Sequence, residues 1–273
     1  MTDRILSLRR QLQEWAARPA NKKMLAQDQE AQLRESLGDP KRRPQVYLAA
    51  WMLGTWRLGA GLGRVLEGDG DGFDEARVGQ ALRRCSLLLR ERHQGPGQRR
   101  AGATQLPFSR LHGAWTALLG LALHDPGADP LYGMLRDEPE STFAEGEHMP
   151  LFVRELLALH AGQRPTLTPR LGPYQETLMH WHGDGRVLAQ RLAGLLDLHL
   201  EGTQGAGAPF DDVPCKLYPV EALAVRAVRE WLELPTPKID HALMHTNLGQ
   251  MQPTRPWPQD ELVRQLERQL QRR

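Results

Sequence analysis

Apolar residues recur along this chain at intervals of three and four, proline or glycine punctuates each stripe, and no alternating β-branched run bounded by turn residues occurs. Such stripes bury one face per segment only if the segments are helices. The spacing therefore predicts an all-α fold, an irregular bundle of about ten to twelve helices or a degenerate solenoid. No repeat recurs at a fixed period, so a single compact domain spanning 1–273 is expected, with subdivision points near 94–106 or 162–173.

The segments read in order. Asp3 can cap a helix whose Ile5, Leu8, Leu12 and Trp15 share a face and which ends before Pro19. Met24, Leu25, Leu33 and Leu37 mark a second helix, stopped by Gly38 and Pro40. Pro44 opens a third, through Val46, Leu48, Trp51, Leu53, Leu58, Leu62 and Leu66. Its glycines, Gly54, Gly59, Gly61 and Gly63, each weaken a helix by about 1 kcal/mol relative to alanine, so they imply close approach of a neighbouring helix.

A helix then runs to about His93 on Val78, Leu82, Cys85, Leu88 and Leu89, and a strongly apolar one from Leu111 to His124 is the expected centre of the core. Short helices follow near 130–136 and 149–161, another ends at Trp181, and one runs from Arg186 to Leu200. Pro219 opens a helix whose Val220, Leu223, Ala224, Ala227, Val228 and Trp231 line one face, and Leu262, Val263, Leu266 and Leu270 mark the last.

Charge excludes some functions. The 35 basic and 33 acidic side chains leave a formal net charge of +2, which argues against direct nucleic-acid binding by the whole molecule. The distribution is uneven: residues 1–100 carry 19 basic and 12 acidic groups, residues 101–200 carry 7 and 11. Asp125, Asp129, Asp137, Glu138, Glu140, Glu145, Glu147 and Glu155 crowd one stretch in which only Arg136 and Arg154 oppose them. Such an excess either attracts a basic partner or simply solvates a loop. No apolar run approaches the roughly 20 residues that span a bilayer, so no membrane is expected. Two cysteines and an N-terminus broken by Arg9, Arg10 and Glu14 point to the cytoplasm.

Catalytic motifs mostly fail. The Gly59, Gly61, Gly63 run follows no strand and so lacks the context of a dinucleotide loop. The Asp69–Asp74 stretch has Phe73 and Gln80 where a calcium loop needs ligands. His180 and His182 flank Trp181, and His241 and His245 stand four apart, so these four are the candidate metal ligands, with Asp211, Asp212, Asp240 or Cys215 as further donors. No complete ligand set can be assembled from spacing, and no cofactor is expected. Cys215 with a histidine base, or Glu176 with His180, offers nucleophilic or acid/base chemistry only if the fold gathers them; a buried thiol and a surface pair are the plainer roles.

Two segments carry a resemblance: YLAAWMLGTWRLGAGLGRVL at 47–66 and FDDVPCKLYPVEALAVRAVREWLELP at 210–235. An acidic loop followed by Tyr-Pro-x-Glu-Ala opening a helix resembles the C-terminal part of large helical immunity proteins of bacterial polymorphic-toxin and type VI secretion systems. The resemblance implies an inhibitor, not an enzyme, that binds one cognate toxin, often a nuclease or other enzyme. Under it, Glu138, Glu140, Glu145, Glu147, Asp211 and Asp212 are the expected partner contacts. A helical adaptor, or a metal-dependent enzyme built on the four histidines, would be the alternatives.

Overall fold

The computed structural model describes residues 2–94, 109–204, 210, 212–250 and 255–271. Its order is α1 (Thr2–Ala17), α2 (Pro19–Asn21), a π-helical stretch (Lys22–Gln27), α3 (Asp28–Ser36), α4 (Arg43–Leu66), α5 (Gly72–Gln94), α6 (Arg110–Leu123), α7 (Asp129–Arg136), α8 (His148–His160), α9 (Gln175–Met179), α10 (Gly185–Glu201), α11 (Val220–Trp231) and α12 (Glu261–Gln271). The fold is all-α, and the described residues contain no strand. No helix among them is long and apolar enough to cross a membrane. The break expected at 94–106 lies, from residue 95 on, outside the described residues.

The small-residue stripe of α4 does what its composition implies. α4 and α5 fold back on each other, and their glycines meet: a Cβ on Gly54 would stand 2.7 Å from the Gly79 carbonyl oxygen, and one on Gly72 would stand 2.9 Å from the Val65 nitrogen. Backbone therefore touches backbone, which no side chain would permit. Gly59 accommodates the Trp15 ring of α1 in the same way. The opposite faces of this pair feed two apolar clusters. One gathers Leu33, Val46, Leu53, Leu82, Cys85 and Leu266. The larger runs from Leu8 to Leu248 and takes in α6, α8, α10 and α11.

Some expectations about faces need correction. Met24 and Leu48 are exposed, at 52% and 56%. Met24 sits in the π-helical stretch, where Asp28 N–H reaches back five residues to the Lys23 carbonyl and rotates the stripe off its α-helical register. Trp231 is also exposed, at 68%, although its spacing places it on the buried face of α11. The physical reason is that α11 ends at this residue, where the ring stacks on His160 at the end of α8 instead of joining the apolar cluster that Leu232 and Leu234 pack against.

The larger cluster contains one polar pair. His199 of α10 and Glu221 of α11 are both fully buried, with Nδ1 2.8 Å from Oε2, and His199 Nε2 lies 3.1 Å from the Lys216 carbonyl. Only an N–H can face that carbonyl, so Nε2 carries a proton and one further proton sits between Nδ1 and Oε2. Whichever atom holds it, the pair has no net charge, which is what a buried position tolerates.

Candidate functional site

Three helices end together at one end of the molecule, and all three end the same way. In α6 the Asp125 N–H bonds the Gly120 carbonyl and His124 N–H bonds Leu121. In α8 Gln163 bonds Ala158 and Gly162 bonds Leu159; in α11 Leu234 bonds Arg229 and Glu233 bonds Glu230. These are the paired bonds of a Schellman cap, which requires a left-handed residue just past the helix. Gly162 supplies it without strain at φ 72°, whereas His124 (φ 57°) and Glu233 (φ 55°) are side-chain-bearing residues held in a conformation that costs about 1–2 kcal/mol each.

Aromatic contacts join these ends. The exposed Trp231 ring stacks on His160 with centroids 5.1 Å apart, and His160 meets Tyr132 of α7 edge-on at 5.5 Å. Glu230 acts electrostatically on His124, and Asp129 at the start of α7 acts on His160. Burial lowers the pKa of both histidines, more than the neighbouring carboxylates raise it, and Arg77 lowers that of His124 further. Glu230, Glu233 and Asp129 are exposed. The last-turn cation of α11 does not offset them at the surface, because Arg229 is buried, lies over the Trp181 ring and donates to the Trp181 and Pro235 carbonyls.

On the other side of Asp129 a groove of about 830 Å³ opens between α5, α7 and α12, with Leu88, Met134 and Leu270 among its apolar lining. Buried Arg84 spans its floor, 2.9 Å from Asp125 and 2.7 Å from Glu267, which ties the α6–α7 turn to α12. This charge is committed to the fold.

The expected acidic contacts are largely committed too. Glu138 is corrected from surface to interior: it is 2% exposed, accepts from Thr142 Oγ1 at 2.9 Å and lies 3.7 Å from Arg110. Glu147 pairs with Arg110 at 2.9 Å, and Glu140 with Arg154 and Arg170 at 3.8 and 3.7 Å. Arg110 and Arg170 come from outside the stretch, and so the local excess legible in the sequence shrinks in three dimensions. Glu145 remains exposed. Asp212 pairs with buried Arg83 at 3.2 Å, and Asp211 lies outside the described residues.

The four histidines are not gathered. His241 faces Asp197 at 3.3 Å, His245 faces Asp240 at 3.3 Å, and His180 lies 3.6 Å from Glu176, which also meets Arg191; His182 is exposed. Among the described residues no three histidine, cysteine, aspartate or glutamate side chains stand close enough to hold a metal ion. Cys215 is buried with its thiol 3.9 Å from Asp212, and burial beside that carboxylate pushes its pKa well up; burial pushes Cys85 up to about 12. Neither is poised as a nucleophile.

No family model, curated protein or solved structure matches the chain. The surface itself therefore carries the functional argument. Sequence reading missed the Trp231 end because its parts, His124, His160 and Glu230 to Glu233, lie in three separate segments. The one local signal is a Trp flanked by Glu in EWLELP, at a helix end marked by Pro235.

Proposed function

We propose that the protein acts by binding another protein, as a cytoplasmic immunity protein that neutralises a cognate secreted bacterial toxin. The observation that carries the binding reading is Trp231, a large aromatic left 68% exposed and backed by His160. Aromatic side chains in such positions supply much of the energy of protein interfaces, whereas leaving one in water serves no folding purpose. The two segments that resemble immunity proteins supply the toxin as partner, and the second of them ends in this tryptophan and Pro235. Exposed Glu145, with the part-exposed Glu140 and Glu147, offers a second contact region.

Capture of the tagged chain from its native lysate, at low and moderate salt, tests the reading. A stoichiometric partner with a toxin-like domain, whose activity is suppressed by equimolar addition of this protein, is the expected result. Absence of such a partner together with a stoichiometric metal would overturn it.

A further inference from the structure

We infer that the end formed by α6, α8 and α11 is a docking surface for a basic segment of the partner protein, with an arginine or lysine side chain seated on the exposed ring of Trp231 among Asp129, Glu230 and Glu233. The inference deepens the binding reading above and rests on it only for the partner's being a toxin.

Charge complementarity selects this occupant. Each helix C-terminus presents the equivalent of about half a negative charge, and three converge here. The stack of Trp231 on His160 and the action of Glu230 on His124 fix that convergence. Asp129, Glu230 and Glu233 add three exposed carboxylates, and none has an ion-pair partner within the described residues. That sets them apart from the acidic loop, where Glu138, Glu140 and Glu147 already face arginines. Two cations near these ends are withdrawn: Arg229 is turned inward onto carbonyls, and Arg77 is 4% exposed and 3.5 Å from Asp74.

The aromatic geometry favours the same ligand. His160 stacks on one face of the Trp231 ring, which is 68% exposed, and an exposed indole at a helix end that carries unpaired carboxylates attracts a guanidinium or ammonium by cation–π and Coulomb terms together. An acidic or purely apolar partner would leave the three carboxylates unpaired or repelled. The strained caps fit this picture. His124 and Glu233 stand where glycine would be relaxed, and Glu233 thereby places a carboxylate at the end of the helix that carries Trp231.

The test uses the full chain and a defined probe: a short Gly/Ser peptide carrying arginines, with a glutamate version as control. The readout is the indole N–H resonance of Trp231, assigned by its loss in Trp231→Phe. Saturable movement of that resonance with the arginine peptide is expected, weakening as salt rises. It should be about tenfold weaker in the Asp129→Asn, Glu230→Gln, Glu233→Gln triple variant, whose exposed substitutions leave the fold intact by circular dichroism. No movement, equal movement with the glutamate peptide, or undiminished affinity in the triple variant would overturn the inference. A toxin bound equally by Trp231→Ala and by the wild type would remove this surface while leaving the immunity reading standing. A Trp231 that binds the arginine peptide in a chain that inhibits no toxin would do the reverse.

Discussion

Replacing Gly79 by alanine sets two effects of known sign against each other. Alanine in a helix interior gains about 1 kcal/mol over glycine. At this position the added Cβ would fall 2.7 Å from the Gly54 carbonyl oxygen, 2.9 Å from Leu58 Cα and closer still to the Leu58 nitrogen. All three are backbone atoms of α4, so the helices must separate rather than a side chain swing aside. Overpacking costs about 1–3 kcal/mol, and rigid neighbours put this site at the upper end, so the net effect is a loss of about 2 kcal/mol. For a chain of this size that lowers Tm by about 4–8 °C, and the denaturant midpoint should fall with an unchanged slope. Gly194 in α10 provides the matched control: nothing lies within 4 Å of its added Cβ, and Gly194→Ala should raise stability by about 1 kcal/mol. The assay is urea unfolding of the wild type and both variants. A Gly79→Ala protein as stable as Gly194→Ala would refute the close crossing of α4 and α5.

Other consequences can be read with the same assay. Glu221→Leu leaves buried His199 Nδ1 without its partner and should cost about 1–3 kcal/mol, while Glu221→Gln, whose amide can still donate to Nδ1, should cost much less. His124→Gly and Glu233→Gly relieve left-handed strain and should each gain roughly 0.5–1 kcal/mol after the added freedom of the unfolded chain is set against the relief. Burial lowers the pKa of His124 and His160 in the folded state, so the unfolded chain takes up protons first as pH falls below about 6.5. Stability contributed by these groups is therefore complete above about 6.5 and lost as pH falls towards their folded values; the urea midpoint should drop less between about pH 8 and about pH 5.5 in the His124→Gln, His160→Gln double variant than in the wild type.

Much of the architecture was legible because burial follows helical period. The stripes of α1, α5 and α12 name side chains that are buried, among them Leu8, Leu12, Leu82, Cys85, Leu262 and Leu266. The α4 glycines were legible as contacts because several in one apolar helix disfavour it unless something approaches closely. Periodicity says nothing of where a neighbouring helix stops, and so it placed Trp231 inside. It says nothing of which distant arginine answers which glutamate, and so Glu138 read as exposed while Arg110 and Thr142 hold it in the interior. The candidate surface is a convergence of three helix ends, a property of the tertiary arrangement that no single segment contains.

Hydrogen exchange on the captured complex, compared with the free chain, tests the interaction surface most directly. Slowed exchange is expected in peptides covering Leu121–Asp125, His160–Arg164 and Arg229–Leu234, where three helices end together. Protection confined to the groove beside Arg84 or to the acidic loop around Glu145, with these three segments unchanged, would contradict it.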